Sequence, residues 1–198
     1  MEFALTRNQG SSAGGAGTAR SLGSLESWLS TNKTSAGTGT AQTTPGFSSG
    51  TVVAPTDSTI AGSFVKADLD AVIEACWSNG GDPKTIMVGP HNRTQISSFT
   101  GISQLQTQAN AGSDVTLMGA VDFYKSNFGI LKVVPNRFQR DQTVFILDFD
   151  YIGISTLRDM TVTPLAKTGD NDKAQLLCEY TLAIKNEAAS GKVTDVTT

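Results

Sequence analysis

Lys167-Thr168-Gly169-Asp170-Asn171-Asp172-Lys173 runs straight into Ala174-Gln175-Leu176-Leu177-Cys178-Glu179-Tyr180-Thr181-Leu182-Ala183-Ile184-Lys185-Asn186. The first string is a charged turn built from Asx residues and a glycine. The second alternates apolar and polar residues, though less strictly than a clean strand, and reads as a long ribbon strand that turns helical near Leu182 to Glu187. Tyr151 to Leu157 and Met160 to Thr163 supply strand candidates on the other side of the turn. An elongated antiparallel ribbon with a loop at its tip is the expected result. Such a segment builds contacts between copies rather than a pocket.

Upstream, Ala120 to Tyr124, Gly129 to Pro135 and Thr143 to Leu147 read as three strands, with Asn127-Phe128-Gly129 close enough for a tight hairpin between the first two. Gly101 to Gly112, rich in Gln, Ser and Asn, reads as a mobile loop. Ser63 to Gly80 is the clearest helix, with Ser63 as N-cap and one stripe of Leu69, Val72, Ile73, Cys76 and Trp77. Asn79-Gly80-Gly81 ends it. Thr85 to Gly89 follows as a short buried strand, Pro90 closes it, and His91 to Phe99 reads as a second helix. Downstream of the ribbon, a glycine turn leads into a short terminal strand.

The first fifty residues differ in kind. Met1 to Gln9 reads as the end of a helix stopped by Gly10, and a helix without a preceding cap looks like the remainder of a longer one. Gly10 to Gly50 is dominated by Gly, Ser, Thr and Ala. Its one amphipathic island, Leu22 to Leu29, places Leu22, Leu25, Trp28 and Leu29 at helical spacing. An extended, surface-crossing segment with one helical turn is expected there.

Composition narrows function. The chain has 198 residues, enough for one large domain or two small ones. A net charge of −3 gives no chain-wide footprint for nucleic acid or anionic membrane. No apolar run reaches the roughly 18 residues of a membrane span, and Met1 to Gly10 lacks a signal-peptide core. Cys76 and Cys178, isolated in apolar surroundings, read as buried free thiols.

Catalytic patterns fail one by one. Ser30-Thr31-Asn32-Lys33 and Lys167-Thr168-Gly169 match the S-x-x-K and K-T-G strings of serine β-lactamases. That chemistry needs the serine at a helix N-terminus, and Ser30 instead follows a helical turn, with no Ser-Asp-Asn between the two strings. Gly15-Ala16-Gly17 opens like a dinucleotide fingerprint, but Arg20 stands where the third glycine belongs. Asp148 and Asp150 read as a solvated face of one strand. Asp170-Asn171-Asp172 lacks the distal Glu of a calcium loop. His91, the only histidine, has no Cys, His or carboxylate neighbour in sequence. No catalytic, cofactor or metal site is assigned.

Three stretches nevertheless resemble one family, the major capsid proteins of tailed bacteriophages with the Hong Kong 97 type fold, in the branch typified by the Su10 phage. Glu2-Phe3-Ala4-Leu5 with Leu25 to Asn32 is similar to the end of that family's spine helix and the segment after it. Lys66 to Gly80 running into Pro83 to Pro90 is similar to the helix and strand of its axial domain. Tyr124 to Gly129 through Asn136-Arg137, Leu147-Asp148, Leu157-Arg158, Leu165 to Asp170, and Leu177 to Leu182 with Asn186-Glu187 follow the branch's pattern in order and spacing.

The resemblance implies an α+β subunit without enzymatic activity or cofactor, tiling into hexamers and pentamers of an icosahedral shell around double-stranded DNA held without sequence recognition. It divides the chain into 1–50 (end of spine helix and a peripheral-domain segment), 51–154 (axial domain), 155–187 (peripheral ribbon) and 188–198 (return to the axial domain). An N-terminal arm, an extended loop and most of the spine helix are expected ahead of Glu2. By position, Lys167, Thr168, Gly169, Asp170, Asn171, Asp172 and Lys173 form the expected inter-subunit loop at three-fold axes. Expected partners are further copies of the chain, with portal, scaffold and decoration proteins, in a virion assembled in the host cytoplasm and without a membrane. A non-viral compartment shell or another phage structural protein is the alternative, and a serine hydrolase using Ser30, Lys33 and Lys167 a distant one.

Overall fold

The structure, a computed structural model, describes residues 2–39, 41–99, 123–167 and 169–197. The loop expected at Gly101 to Gly112, and most of the strand expected from Ala120, lie outside the described residues. The fold is α+β, as expected. Among the described residues, ten strands, β1 (Asn32–Ser35), β2 (Phe47–Ser48), β3 (Thr51–Val52), β4 (Thr85–Val88), β5 (Phe123–Lys125), β6 (Ile130–Pro135), β7 (Val144–Leu147), β8 (Ile152–Leu165), β9 (Lys173–Ile184) and β10 (Gly191–Thr194), accompany four helices. These are α1 (Glu2–Thr6), α2 (Leu25–Trp28), α3 (Lys66–Ser78) and α4 (Pro90–Ser97).

Six strands form one mixed sheet in the order β1-β10-β7-β4-β6-β5. Alternation sorts its side chains onto two faces. Ile86 and Val88 of β4, Leu131 and Val133 of β6, Val144 and Ile146 of β7 and Val193 of β10 face one layer. There they meet Leu69, Val72, Ile73 and Cys76 of α3 and Ile96 of α4. Phe145 and Leu147 point the other way, against Leu25 and Leu29 at α2 and Leu182 of β9. The α3 stripe therefore covers its face as expected, apart from Trp77. That residue is 57% exposed and lies against Phe128 of the β5–β6 turn, ring centroids 5.4 Å apart.

Local signals set the element ends. α3 starts later than the expected Ser63, because Asp68 accepts a hydrogen bond from the Val65 N–H and fixes Val65 as N-cap. Gly80, at φ +82°, takes the left-handed turn that ends α3. Gly191 is needed for closeness: a Cβ there would lie 2.5 Å from Val72 and 2.7 Å from the Asn32 carbonyl. Pro90 occupies the first turn of α4 rather than merely closing β4.

Three other expectations change. The two strands expected at Tyr151 to Leu157 and Met160 to Thr163 are one strand, β8, which starts at Ile152. β9 stays extended to Ile184, and the helical turn falls later, at Glu187–Ala189. Its start is set by Asn186, whose side chain accepts from the Ala188 N–H. Asp148 is no solvated strand residue. β7 ends at Leu147, and the buried Asp148 carboxylate caps the turn by accepting from the Asp82 and Asp150 N–H groups at 3.1 Å each.

Candidate assembly surface

Among the described residues, β8 and β9 pair only with each other, as a two-stranded ribbon that roots on the sheet's second face. Pairing runs from Ile152↔Ile184 at the root to Leu165↔Lys173 at the tip. Paired residues share a face. One face carries Ile152, Ile154 and Thr156 opposite Ile184, Leu182 and Tyr180, then Val162 and Pro164 opposite Leu176 and Ala174. The other carries Gly153 and Ser155, then Thr161, Thr163 and Leu165, opposite Ala183, Thr181, Leu177, Gln175 and Lys173. The first face is apolar along most of its length and the second mostly polar.

Two bulges keep it so. The register gains one unmatched β8 residue between Thr156 and Arg158 and another between Arg158 and Thr161. A single insertion would turn Thr161 and Thr163 onto the apolar face, since a shift of one residue exchanges the two faces of a strand. Two insertions restore Val162 and Pro164 to the side of Ile152 and Ile154. Between the bulges Arg158 pairs with Glu179, Nε to Oε2 3.3 Å.

Among the described residues, the apolar face is covered only at its root. Leu182 is 6% exposed, packed with Leu25, Leu29, Phe145 and Leu147. Further out Val162 is 67% and Leu176 61% exposed, and the bulge region presents Leu157 and Met160 to solvent. Between root and tip, an open cleft of about 780 Å³ separates the ribbon from α1 and residues 7–22. Arg7 and Arg20 line one wall, and Cys178 and Tyr180 the other.

At the tip, Lys167 reaches Asp172, Nζ to Oδ1 2.7 Å, with both side chains largely in water. Gly169 has φ +130°, and Asp170 and Asn171 are exposed. Thr168 lies outside the described residues. The loop therefore joins the two strands of the ribbon at its far end, with its charges toward solvent.

The root is fixed by a buried polar cluster without a local sequence signal. While Leu25 faces the ribbon, the fully buried Glu26 beside it accepts from Gln42 at 2.8 Å and Thr143 at 2.9 Å, and pairs with Arg140 at 3.4 Å. Arg140 also holds Asp57 at 2.7 Å. Lys192, opposite Phe145 in the sheet, donates to the Glu26 carbonyl, Gln42 Oε1 and Thr44 Oγ1 at 2.7, 2.8 and 2.9 Å. Burial pushes the Lys192 ammonium down to about 8, against the pull of the Glu26 carboxylate. All three ammonium protons are engaged, so the cluster binds segments together rather than offering a reactive amine.

Asp195 ties in the neighbouring loops. Burial alone would raise its carboxyl. Hydrogen bonds from Ser35 at 2.6 Å, Ser58 N–H at 2.8 Å, Gln42 N–H at 3.0 Å and Thr194 at 3.1 Å outweigh that and hold it below the usual range.

The residues of the hydrolase pattern stand in separate settings. The Ser30 N–H is bound by Glu187 at 3.1 Å, Lys33 donates to the Gln42 carbonyl at 3.0 Å, and Lys167 sits at the ribbon tip. His91 contacts Asp141 through its N–H at 3.3 Å, and its ring lies 3.5 Å from Gln95. Among the described residues no group of three or more His, Cys, Asp or Glu is placed to hold a metal ion, and no helix is long and apolar enough to cross a membrane. Cys76 is buried, its thiol pushed up to about 12 chiefly by burial, whereas Cys178 is only half-buried, on the wall of the open cleft.

No curated protein matches the chain. Among solved structures it is similar to the virus-like particle from Pyrococcus furiosus (15% identity over 65% of this chain and 49% of that one, TM-score 0.39). It is similar too to the holo-SrpI encapsulin complex from Synechococcus elongatus (13%, 68% and 50%, TM-score 0.42). A third is the procapsid of satellite phage P4 including the size determination protein (15%, 66% and 39%, TM-score 0.40). The chain spans about half or less of the length of these structures. The sequence profile of the SU10 major capsid protein family matches residues 1–197, and the chain belongs to that family.

Proposed function

We propose that the chain is the structural subunit of an icosahedral phage head, a major capsid protein of the Hong Kong 97 type that tiles into hexamers and pentamers around double-stranded DNA. Family membership across nearly the whole chain is the observation that carries this reading. A ribbon whose apolar face outruns the body supports it, because a lone two-stranded hairpin is marginal in water and gains from a surface to lie on. In this reading residues 51–154 and 188–198, which hold α3, α4 and five of the six sheet strands, serve the axial domain, and residues 155–187 the peripheral domain. Residues Lys167 to Lys173 make the contact near three-fold axes. Their exposed charges contribute no more than about 1 kcal/mol per pair, and repetition over many subunits makes such contacts count.

Portal, scaffold and decoration proteins are the further partners of such a subunit, and the host cytoplasm its place of assembly. The genome is held without sequence recognition, in keeping with a net charge of −3. Electron microscopy of the purified protein under assembly conditions tests the reading. Closed, symmetric particles are expected. A compact monomer under every condition overturns it.

A further inference from the structure

Asn79-Gly80 is the one Asn-Gly pair in the chain, and it stands exposed where α3 ends. An asparagine before glycine is open to attack by the glycine's own backbone nitrogen, because no Cβ on the second residue shields that nitrogen. We infer that Asn79-Gly80 is a self-modification site that the folded chain holds shut, and that its conversion to aspartate or isoaspartate marks chains whose α3 terminus has opened. The reaction needs water and no other reagent. The Gly80 nitrogen forms a bond to Asn79 Cγ as the Cγ–Nδ2 bond breaks, and Nδ2 leaves as ammonia with the former Gly80 amide proton. Water then adds to one of the two carbonyls of the resulting ring and breaks its bond to nitrogen, giving Asp or its β-linked isomer.

The fold holds the reacting groups apart. The Gly80 N–H donates to the Trp77 carbonyl at 3.0 Å. The Asn79 amide donates to Asn32 Oδ1 at 2.8 Å. Asn79 itself sits at φ −88° and ψ 10°, which keeps the Gly80 nitrogen in the last turn of the helix, whereas ring closure needs ψ turned far from that value. The anchor is firm. Asn32 is 4% exposed, and its own amide donates to the Ala188 and Ser190 carbonyls at 2.6 and 3.2 Å. The restraint therefore runs from the end of α3 through β1 to the turn at Glu187–Ala189. Gly81 is clamped as well: its N–H donates to the Cys76 carbonyl at 2.9 Å, and a Cβ there would lie 2.4 Å from the Ala189 carbonyl. Modification thus requires local opening, and its rate follows the open fraction. The change runs one way. A carboxylate at position 79 removes the donor that Asn32 Oδ1 accepts from and sets two acceptors face to face, so a modified chain opens more readily.

Peptide mass spectrometry of the full chain, incubated at mildly alkaline pH, reads the conversion at position 79. It should run at least about tenfold slower in the folded chain than in the urea-denatured chain, the protection that local structure gives a backbone amide. Asn32→Ala, which removes the acceptor for the Asn79 amide, should speed conversion in the folded chain by about fivefold or more, the scale of one hydrogen bond, and leave the denatured rate unchanged. Equal rates in folded and denatured chains overturn the inference, and so does an Asn32→Ala rate equal to that of the wild type. Where circular dichroism shows that Asn32→Ala does not fold, wild type in urea below its unfolding transition decides. Conversion that rises in proportion to hydrogen exchange at the Gly80 amide upholds the gate, and conversion independent of that exchange overturns it. Asn79→Asp, which carries the product's charge, should speed Gly80 amide exchange several-fold. Unchanged exchange overturns the one-way character of the mark.

Discussion

The strands of the sheet and the strands of the ribbon are built from similar residues and meet opposite fates. Val144, Phe145, Ile146 and Leu147 of β7 are all at most 1% exposed, because α3 and α4 cover one face and α2 with the ribbon root covers the other. In β8, fourteen residues long, nothing beyond Ile152 is better than exposed. The sequences carry the difference: β7 is an unbroken apolar run, the mark of a strand buried on both faces, while the ribbon alternates, the mark of one apolar face. Burial on two faces makes a scaffold.

The contrast breaks most visibly through core truncation. Phe145→Ala, removing a fully buried ring, should cost about 3–5 kcal/mol of subunit stability, whereas Leu176→Ala should stay within about 0.5 kcal/mol. Urea unfolding of both variants checks this, and comparable losses would show that the ribbon belongs energetically to the body.

The polar cluster at the ribbon root gives a pH signature. The folded pKa of Lys192 lies below its unfolded value of 10.5, at about 8. Folding therefore favours the neutral amine, and the stability linked to this group is full above 10.5 and lost as pH falls through 8. Burial likewise pushes up Cys76 and Tyr124, which titrate in alkali in the opposite sense. Comparison with Lys192→Met cancels their contribution. Wild type should gain on that variant between about pH 8 and 10.5, by up to about 3 kcal/mol. A flat difference across that window would show that the ammonium is not desolvated as the geometry implies. Glu26→Gln, which leaves Arg140 and Lys192 without their buried carboxylate, should cost about 2 kcal/mol in the same unfolding assay.

The smallest effect on folding belongs to the tip. Asp170→Lys with Asp172→Lys removes the solvent-exposed Lys167–Asp172 pair. Subunit stability should move by less than about 1 kcal/mol, while particle yield falls. Equal loss of folding and assembly would make the loop part of the fold instead.

What was legible in the sequence followed local physics. The α3 stripe, the Gly80 turn, the β5–β6 hairpin and the ribbon with its charged turn each announce themselves within a few residues. The family resemblance rested on the order of such signals and is the part now established. Missed features depend on distant partners. Lys192 lies 166 positions from Glu26, and only the pairing of β10 with β7 brings it over α2. Asp148 looked solvated because its acceptors' donors, Asp82 and Asp150, sit at a turn whose geometry the strand pattern hid. Trp77 fitted the α3 stripe by spacing, yet the sheet is already filled by Cys76 and Ile73, so the ring lies outward on Phe128. The bulges of β8 were read as a gap between two strands, for an extra residue interrupts alternation just as a loop does.

Hydrogen exchange on the free subunit and on the assembled particle tests most directly the proposal that the ribbon makes contacts between copies. The account predicts that amides of residues 160–165 and 173–177 slow markedly on assembly, while those of β4 and β7, already buried in the subunit, change little. Ribbon amides that exchange at the same rate in both states would contradict it.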